Sequence, residues 1–201
     1  MIKGYYFITD ALLSKHGNIS DVKAALAAGV KVVQYRNKNA SIVEALEEAR
    51  ELRQICSGIT FLINDSVELA QKVNADGVHL GSDDAFYEEA RKALGPDKII
   101  GLTVHNVEEA QEAEAKGADY LGVSPIFSTT TKSDAGNPVG VKLVQDVKNC
   151  CKIPIVAIGG INLDNAPEVV AAGADALCAI SAVITKDDVA GEIRKFQSLW
   201  K

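Results

Sequence analysis

The sequence predicts an α/β protein, a single closed (β/α)8 barrel of the TIM type spanning residues 1–201. Three observations predict it. Short apolar runs alternate with longer amphipathic segments along the whole length. One phrase that stops a helix and starts a strand recurs at every second unit, and polar residues gather just behind the apolar runs.

The runs that read as strands are "YYFI" (5–8), "VVQYR" (32–36), "TFLIN" (60–64), "GVHL" (77–80), "IIGLT" (99–103), "YLGVS" (120–124), "PIVAI" (154–158) and "ALCAI" (176–180). Several are apolar at nearly every position, as parallel strands covered on both faces must be. Between them lie "DVKAALAA", "SIVEALEEARELRQIC", "SVELAQKV", "DAFYEEARKAL", "VEEAQEAEAK", "VKLVQDVKNC" and "NAPEVVAA". Their apolar residues are spaced by three and four, one buried stripe per helix. A last helix falls near "DVAGEIRKFQSLW", with Phe196 and Trp200 four apart.

Helices one, three, five and seven run into "LAAGVKVVQ", "KVNADGVHL", "AKGADYLGV" and "AAGADALCA". The glycine suits the left-handed position that ends a helix. Asn74 takes that position in the second phrase, and Asn tolerates it too. Eight βα units in 201 residues, with no break in composition, fit a barrel at the small end of its size range. An open doubly wound sheet fits less well, because neither G-x-G-x-x-G nor G-x-x-x-x-G-K-[ST] is present.

Composition narrows the function. The chain is 47% apolar and 24% charged, with a net charge of -6 and no long run of one sign. That disfavours a nucleic-acid or membrane-surface partner, which calls for a basic face. "YYFITD" follows Met1 too closely for a signal segment, and no apolar run nears the roughly 20 residues of a membrane span. A cytoplasmic location is the expectation. Cys56, Cys150, Cys151 and Cys178 show no metal-ligand spacing and read as small hydrophobes in a reducing compartment. His79, inside an apolar run, reads as a satisfied core histidine, and His105 at a strand end has no role assigned by its position.

In such barrels the active site lies at the C-terminal ends of the strands. Strand two ends in Gln34, Arg36 and Lys38, which alternation puts on one side, with Gln34 toward the mouth. Strand three ends in Asn64 and Asp65, and strand four runs into Asp83 and Asp84. Strand five ends at Thr103, strand six opens into "SPIFSTTTKSDAG", strand seven ends in "IGG" and strand eight in "AIS". Taken singly, each has a plain alternative: solvated charge, helix cap or tight turn. Taken together they sort into chemistry. Asp65 and Asp84, on neighbouring strand ends, suit Mg²⁺, which takes one or two carboxylates and completes its shell with water and phosphate oxygens. Arg36, Lys38 and Lys132 suit a diphosphate. The turns after strands seven and eight lie where such barrels bind a single phosphate.

These residues resemble the thiamine-phosphate synthase (thiamine-phosphate pyrophosphorylase) family. The phrases "QYRNK", "LINDSVELA", "DGVHLGSDD", "GADYLGVSPIFSTTTK", "IPIVAIGGI" and "AISAVI" carry the resemblance, in family order and over essentially the whole chain. It implies a Mg²⁺-dependent transferase of thiamine biosynthesis. Such an enzyme joins hydroxymethylpyrimidine diphosphate to hydroxyethylthiazole phosphate, giving thiamine phosphate and pyrophosphate through a pyrimidine carbocation. It implies that Asp65 and Asp84 hold Mg²⁺, and that Gln34, Arg36, Lys38, Asn64, Thr103 and Lys132 bind the pyrimidine diphosphate. Of these, Lys132, Arg36 and Lys38 assist departure of the leaving group. Thr129, Thr130, Thr131, Gly160, Ile180 and Ser181 would hold the thiazole phosphate. Four positions depart from the family pattern: Thr103 replaces Ser, Ser82 replaces Gln, Ser124 replaces Gly, and Asn37 stands where Glu is common. The rival readings are a thiazole tautomerase, a non-catalytic phosphate-ligand sensor and a sugar-phosphate epimerase on the same barrel. The partners expected are phosphorylated small molecules, and a homo-oligomer packed through the outer helices is left open.

Overall fold

Each of the eight apolar runs forms a strand. In a computed structural model, which describes residues 2–81, 84–131 and 136–200 (the backbone alone at 84–86), the strands are β1 (Gly4–Ile8), β2 (Val32–Tyr35), β3 (Thr60–Asn64), β4 (Gly77–Leu80), β5 (Ile99–Val104), β6 (Tyr120–Val123), β7 (Ile155–Ile158) and β8 (Ala176–Cys178). They pair in parallel in chain order, and β8 returns to β1, so the barrel closes. The helices on its outside are α1 (Asn18–Ala27), α2 (Ile42–Ile55), α3 (Val67–Lys72), α4 (Asp84–Leu94), α5 (Val107–Lys116), α6 (Gly140–Cys150), α7 (Ala166–Ala171), α8 (Ile180–Ile184) and α9 (Val189–Gln197). Strand eight is shorter than its apolar run: Ala179 leaves the extended conformation and Ile180 starts α8. No helix among the described residues is long and apolar enough to cross a membrane.

Alternation along the strands makes two cores. Tyr5, Phe7, Val33, Ile63 and Leu121 face outward into the large core under the helices, where Tyr5 meets Phe196 with ring centroids 5.5 Å apart. Tyr6, Ile8, Val32, Leu62, Tyr120, Val156 and Cys178 point inward and fill the barrel. Two glycines make room for large rings there. A Cβ on Gly101 would fall on the Tyr120 ring, and one on Gly122 would lie 2.8 Å from His79 Cε1.

The recurring helix-to-strand phrase has a structural counterpart on the N-terminal face. Asn74 (φ 49°) and Gly117 (φ 93°) hold the left-handed position that sequence assigned to them. Two residues on, Asp76, Asp119 and Asp175 each accept a backbone N–H from the preceding strand: Phe61 at 2.8 Å, Ile100 at 2.8 Å and Ile155 at 2.9 Å. Each also pairs with a cation, Arg53, Arg91 and Lys148 respectively. The motif pins three strand pairs at the end of the barrel away from the site. Because these carboxylates are partly exposed, Asp175→Ala is expected to lower stability by only about 1–2 kcal/mol, most of it from the stranded Ile155 N–H. Urea unfolding checks this, and KM values should stay put.

Candidate active site

The C-terminal mouth of the barrel holds a pocket lined by residues in or directly after all eight strands. Gln34, Arg36, Lys38, Asn64, Asp65 and Thr103 line one side of the chemistry expected from sequence; Thr129, Thr131, Gly160, Ile180 and Ser181 belong to the other. Thr130 lines an adjoining depression with Thr129, Thr131, Gly160 and Ser181. Asp84 is the first residue of α4, its side chain outside the described residues, and Lys132, Ser82 and Asp83 also lie outside them. The apolar floor includes Ile8, Ile158 and Cys178. Burial pushes the Cys178 thiol well above its ordinary range, so it stays protonated at neutral pH.

The cations are held in place by carboxylates. Arg36 Nη1 donates to Asp10 Oδ2 at 2.6 Å, a pair largely out of solvent. The Arg36 backbone is clamped to Thr9, whose Oγ1 accepts from Arg36 N at 2.8 Å and donates to Arg36 O at 2.9 Å. Thr9 and Asp10 were missed in the sequence. The rule that polar residues stand behind each strand applies to "YYFITD" as well as to the other runs, and would have found them. Lys38 Nζ donates to Asp65 Oδ2 at 2.6 Å, with both side chains half exposed.

Asp65 is placed by its backbone. It sits at φ 59°, one of two non-glycine residues with positive φ among those described, and its N–H donates to His79 O at 2.8 Å. Asp tolerates this region better than most side chains. The neighbouring Ser66 takes the capping role, accepting from Leu69 N at the start of α3. The helix-cap reading of "NDS" therefore belongs to Ser66, and the Asp65 carboxylate is left at the mouth.

On the opposite wall, the loop after β6 is stitched to the end of β7. Ile126 N donates to Ile158 O at 2.9 Å, and Phe127 N donates to Gly159 O at 3.0 Å. Val139 N and Gly140 N close the loop's base onto Pro125 O and Ile126 O. These bonds bring the threonines, 30 residues away in sequence, beside Gly160. The adjacent α8 begins without a side-chain cap, so its first N–H groups have no side chain satisfying them.

Deeper in the barrel, both His79 ring nitrogens are bonded within the protein, Nδ1 to Tyr120 Oη at 2.8 Å and Nε2 to Thr103 Oγ1 at 2.9 Å. That is the satisfied core histidine expected from sequence, although its ring also lines the pocket. Gln34 is buried. Its Nε2 donates to Tyr6 Oη at 2.9 Å, while Oε1 has no partner among the described residues. His105 and Ser124 complete the rim, His105 Nδ1 lying 3.1 Å from Glu109.

An acceptor with no partner among the described residues, two cations, a half-exposed carboxylate and a wall of hydroxyls beside an uncapped helix are groups suited to polar, anionic ligands. The sequence profile described as thiamine monophosphate synthase matches residues 5–183. A thiamine-phosphate synthase from Methanosarcina mazei is 54% identical over 193 residues, covering 96% of this chain and 80% of that protein. One from Methanosarcina barkeri is 51% identical, covering 96% and 88%. Among solved structures, the thiamine phosphate pyrophosphorylase from Pyrococcus furiosus superposes with a TM-score of 0.88 at 38% identity, covering 97% of this chain and 94% of that one.

Proposed function

The chain belongs to the thiamine monophosphate synthase family, a family of transferases, and from that membership and the pocket's geometry we propose how its residues join a hydroxymethylpyrimidine diphosphate to a hydroxyethylthiazole phosphate. The C–O bond between the pyrimidine methylene and its diphosphate breaks, the electron pair leaves with the pyrophosphate, and the thiazole nitrogen forms a C–N bond to the resulting cation. Such a reaction needs a stabilised leaving group and a positioned nucleophile, and no protein nucleophile. The observation that carries the reading is Gln34 Oε1, which has no partner among the described residues and is buried in the same pocket that Arg36 and Lys38 line. A buried acceptor left unsatisfied calls for a ligand donor, and the pyrimidine amino group supplies one.

Each remaining group has a task. Arg36, Lys38, Asn64 and Thr103 bind the diphosphate, and Lys132, which follows the threonines in sequence, pulls on the same leaving group. Thr129, Thr130 and Thr131, with the N–H groups of Gly160, Ile180 and Ser181, hold the thiazole phosphate. The apolar floor keeps water from the cation, and the protonated Cys178 thiol offers it no thiolate. Asp65 fits a hard divalent cation: its carboxylate is half exposed at the rim and supplies oxygen, with Asp84 as the second carboxylate. Mg²⁺ held there would neutralise charge on the diphosphate oxygens.

The test is direct. Purified protein, Mg²⁺ and both phosphorylated precursors should release pyrophosphate in step with thiamine phosphate. Absence of pyrophosphate release, with the thiazole isomerising instead, would replace this reading with the tautomerase. The Arg36–Asp10 pair gives a second check. Asp10→Ala leaves a largely buried cation alone, and loss of about 2–4 kcal/mol of stability is expected. Inorganic pyrophosphate should restore part of it, because an anion takes the carboxylate's place. Melting curves with and without pyrophosphate measure both effects; an Asp10→Ala protein that melts like wild type, or gains nothing from pyrophosphate, counts against Arg36 as a diphosphate ligand.

A further inference from the structure

We propose that five side chains on the barrel floor form one hydrogen-bond wire, whose direction couples recognition of an N–H head group at one end to binding of an anion at the other. The inference rests on the pyrimidine diphosphate reading and deepens it. It makes Tyr6, Tyr120 and His79 positioning residues that decide which head group the site accepts together with a diphosphate.

The wire runs from β2 to β5 through residues far apart in sequence. Gln34 Nε2 lies 2.9 Å from Tyr6 Oη, Tyr6 Oη lies 2.8 Å from Tyr120 Oη, Tyr120 Oη lies 2.8 Å from His79 Nδ1, and His79 Nε2 lies 2.9 Å from Thr103 Oγ1. Both ends, Gln34 and Thr103, face the pocket. Burial raises both phenols far above their ordinary range, so each keeps its one proton. A hydroxyl that accepts from one neighbour hands its proton to the next, and a neutral imidazole donates from one nitrogen and accepts at the other. With His79 neutral, the bonds between these five side chains have two self-consistent directions.

In the first, Gln34 donates to Tyr6, Tyr6 to Tyr120, and Tyr120 to His79 Nδ1, while His79 Nε2–H donates to Thr103. The Thr103 hydroxyl then has its proton to give to the pocket, and the Gln34 amide turns its oxygen there. In the second direction every bond reverses: Thr103 presents lone pairs to the pocket and Gln34 presents its NH₂. A diphosphate oxygen beside Thr103 only accepts, so it selects the first direction. That choice forces Gln34 to meet the head group with an acceptor, in keeping with an Oε1 that has no partner among the described residues. An amino head group is matched. A head group with a carbonyl at the same place opposes lone pair to lone pair, unless the wire reverses and gives up the bond to the diphosphate. Gly101 and Gly122 provide the space in which the Tyr120 and His79 rings sit.

Two measurements test the wire. The first is the tautomer of His79, read by long-range ¹H–¹⁵N NMR in wild-type protein alone and with inorganic pyrophosphate. His16→Gln and His105→Gln identify its signals by subtraction. A proton on Nε2 and none on Nδ1 is expected in both samples; a proton on Nδ1 in either would overturn the proposal. The second is discrimination, the ratio of kcat/KM for the aminopyrimidine diphosphate to that for its 4-oxo analogue. The double variant Tyr6→Phe/Tyr120→Phe removes both middle hydroxyls and frees Gln34 to turn. The ratio should fall at least tenfold, mainly through KM of the analogue, and an unchanged ratio in a cooperatively melting variant would refute the coupling. If that variant does not fold, the tautomer alone decides. A protein that turns over neither diphosphate would sink the substrate reading, yet its His79 tautomer would still report the wire.

Discussion

Asp65→Asn is expected to lower kcat by about 10²–10³-fold, the scale of removing one preorganised charge-stabilising group from a leaving-group site. Asn tolerates the left-handed backbone held at φ 59°, so the change isolates charge from conformation. The substitution has an opposing effect that a plain loss of binding would not show. Lys38, now paired with Asp65 at 2.6 Å, loses its carboxylate and becomes a stronger partner for phosphate oxygens. The KM for the pyrimidine diphosphate should therefore stay level or fall while kcat drops, and the Mg²⁺ concentration needed for half-maximal rate should rise. Steady-state kinetics over a Mg²⁺ series separates these effects. A rise in KM with unchanged kcat would mean that Asp65 only orders Lys38.

The fold was legible because barrel strands are buried on both faces, and their sequences show it without reference to distant partners. "TFLIN" and "GVHL" coincide with β3 and β4 to the residue. Half of the lining of the mouth pocket was legible for a related reason: the fold exposes strand ends, so Gln34, Asn64, Asp65 and Thr103 stand out as polar residues at the end of an apolar run. What stayed hidden depends on pairs. Tyr6 and Tyr120 sit inside "YYFI" and "YLGV" and read as core filler, because aromatic residues are ordinary in strands. Their hydroxyls meet across 114 residues of chain, and only closure of the barrel brings them together. Asp10 was hidden differently, since its meaning comes from Arg36 just past the end of the next strand. The same limit shaped the reading of His79. Its place in an apolar run showed that it would be satisfied, and not that the groups satisfying it connect two ends of a pocket.

Gly160→Ala should separate the two halves of the site. Gly160 lies at φ +64°, and a Cβ there would come within 2.5 Å of Ser128 O and 2.7 Å of Phe127 Cβ. Neither neighbour is the end of a flexible chain: both belong to the loop tied to β7 through Ile126 N and Phe127 N. The loop and turn must move apart, and the cost in stability is expected to be about 1–3 kcal/mol. The functional cost is local. In the proposed division of the site, the threonines and the glycine turn grip the same phosphate from two sides, so parting them would lose one or two charge-assisted hydrogen bonds, each contributing about 1.5–3 kcal/mol. At about 1.4 kcal/mol per decade, KM for the thiazole phosphate should rise roughly 10- to 100-fold even if only one bond is lost. The pyrimidine diphosphate is proposed to be held from β2, β3 and β5 on the other wall, and its KM should change less than threefold. Initial rates with one substrate varied at saturation of the other measure the two constants. Equal rises in both KM values would show that the two anions share one subsite, and would contradict the division of the pocket between them.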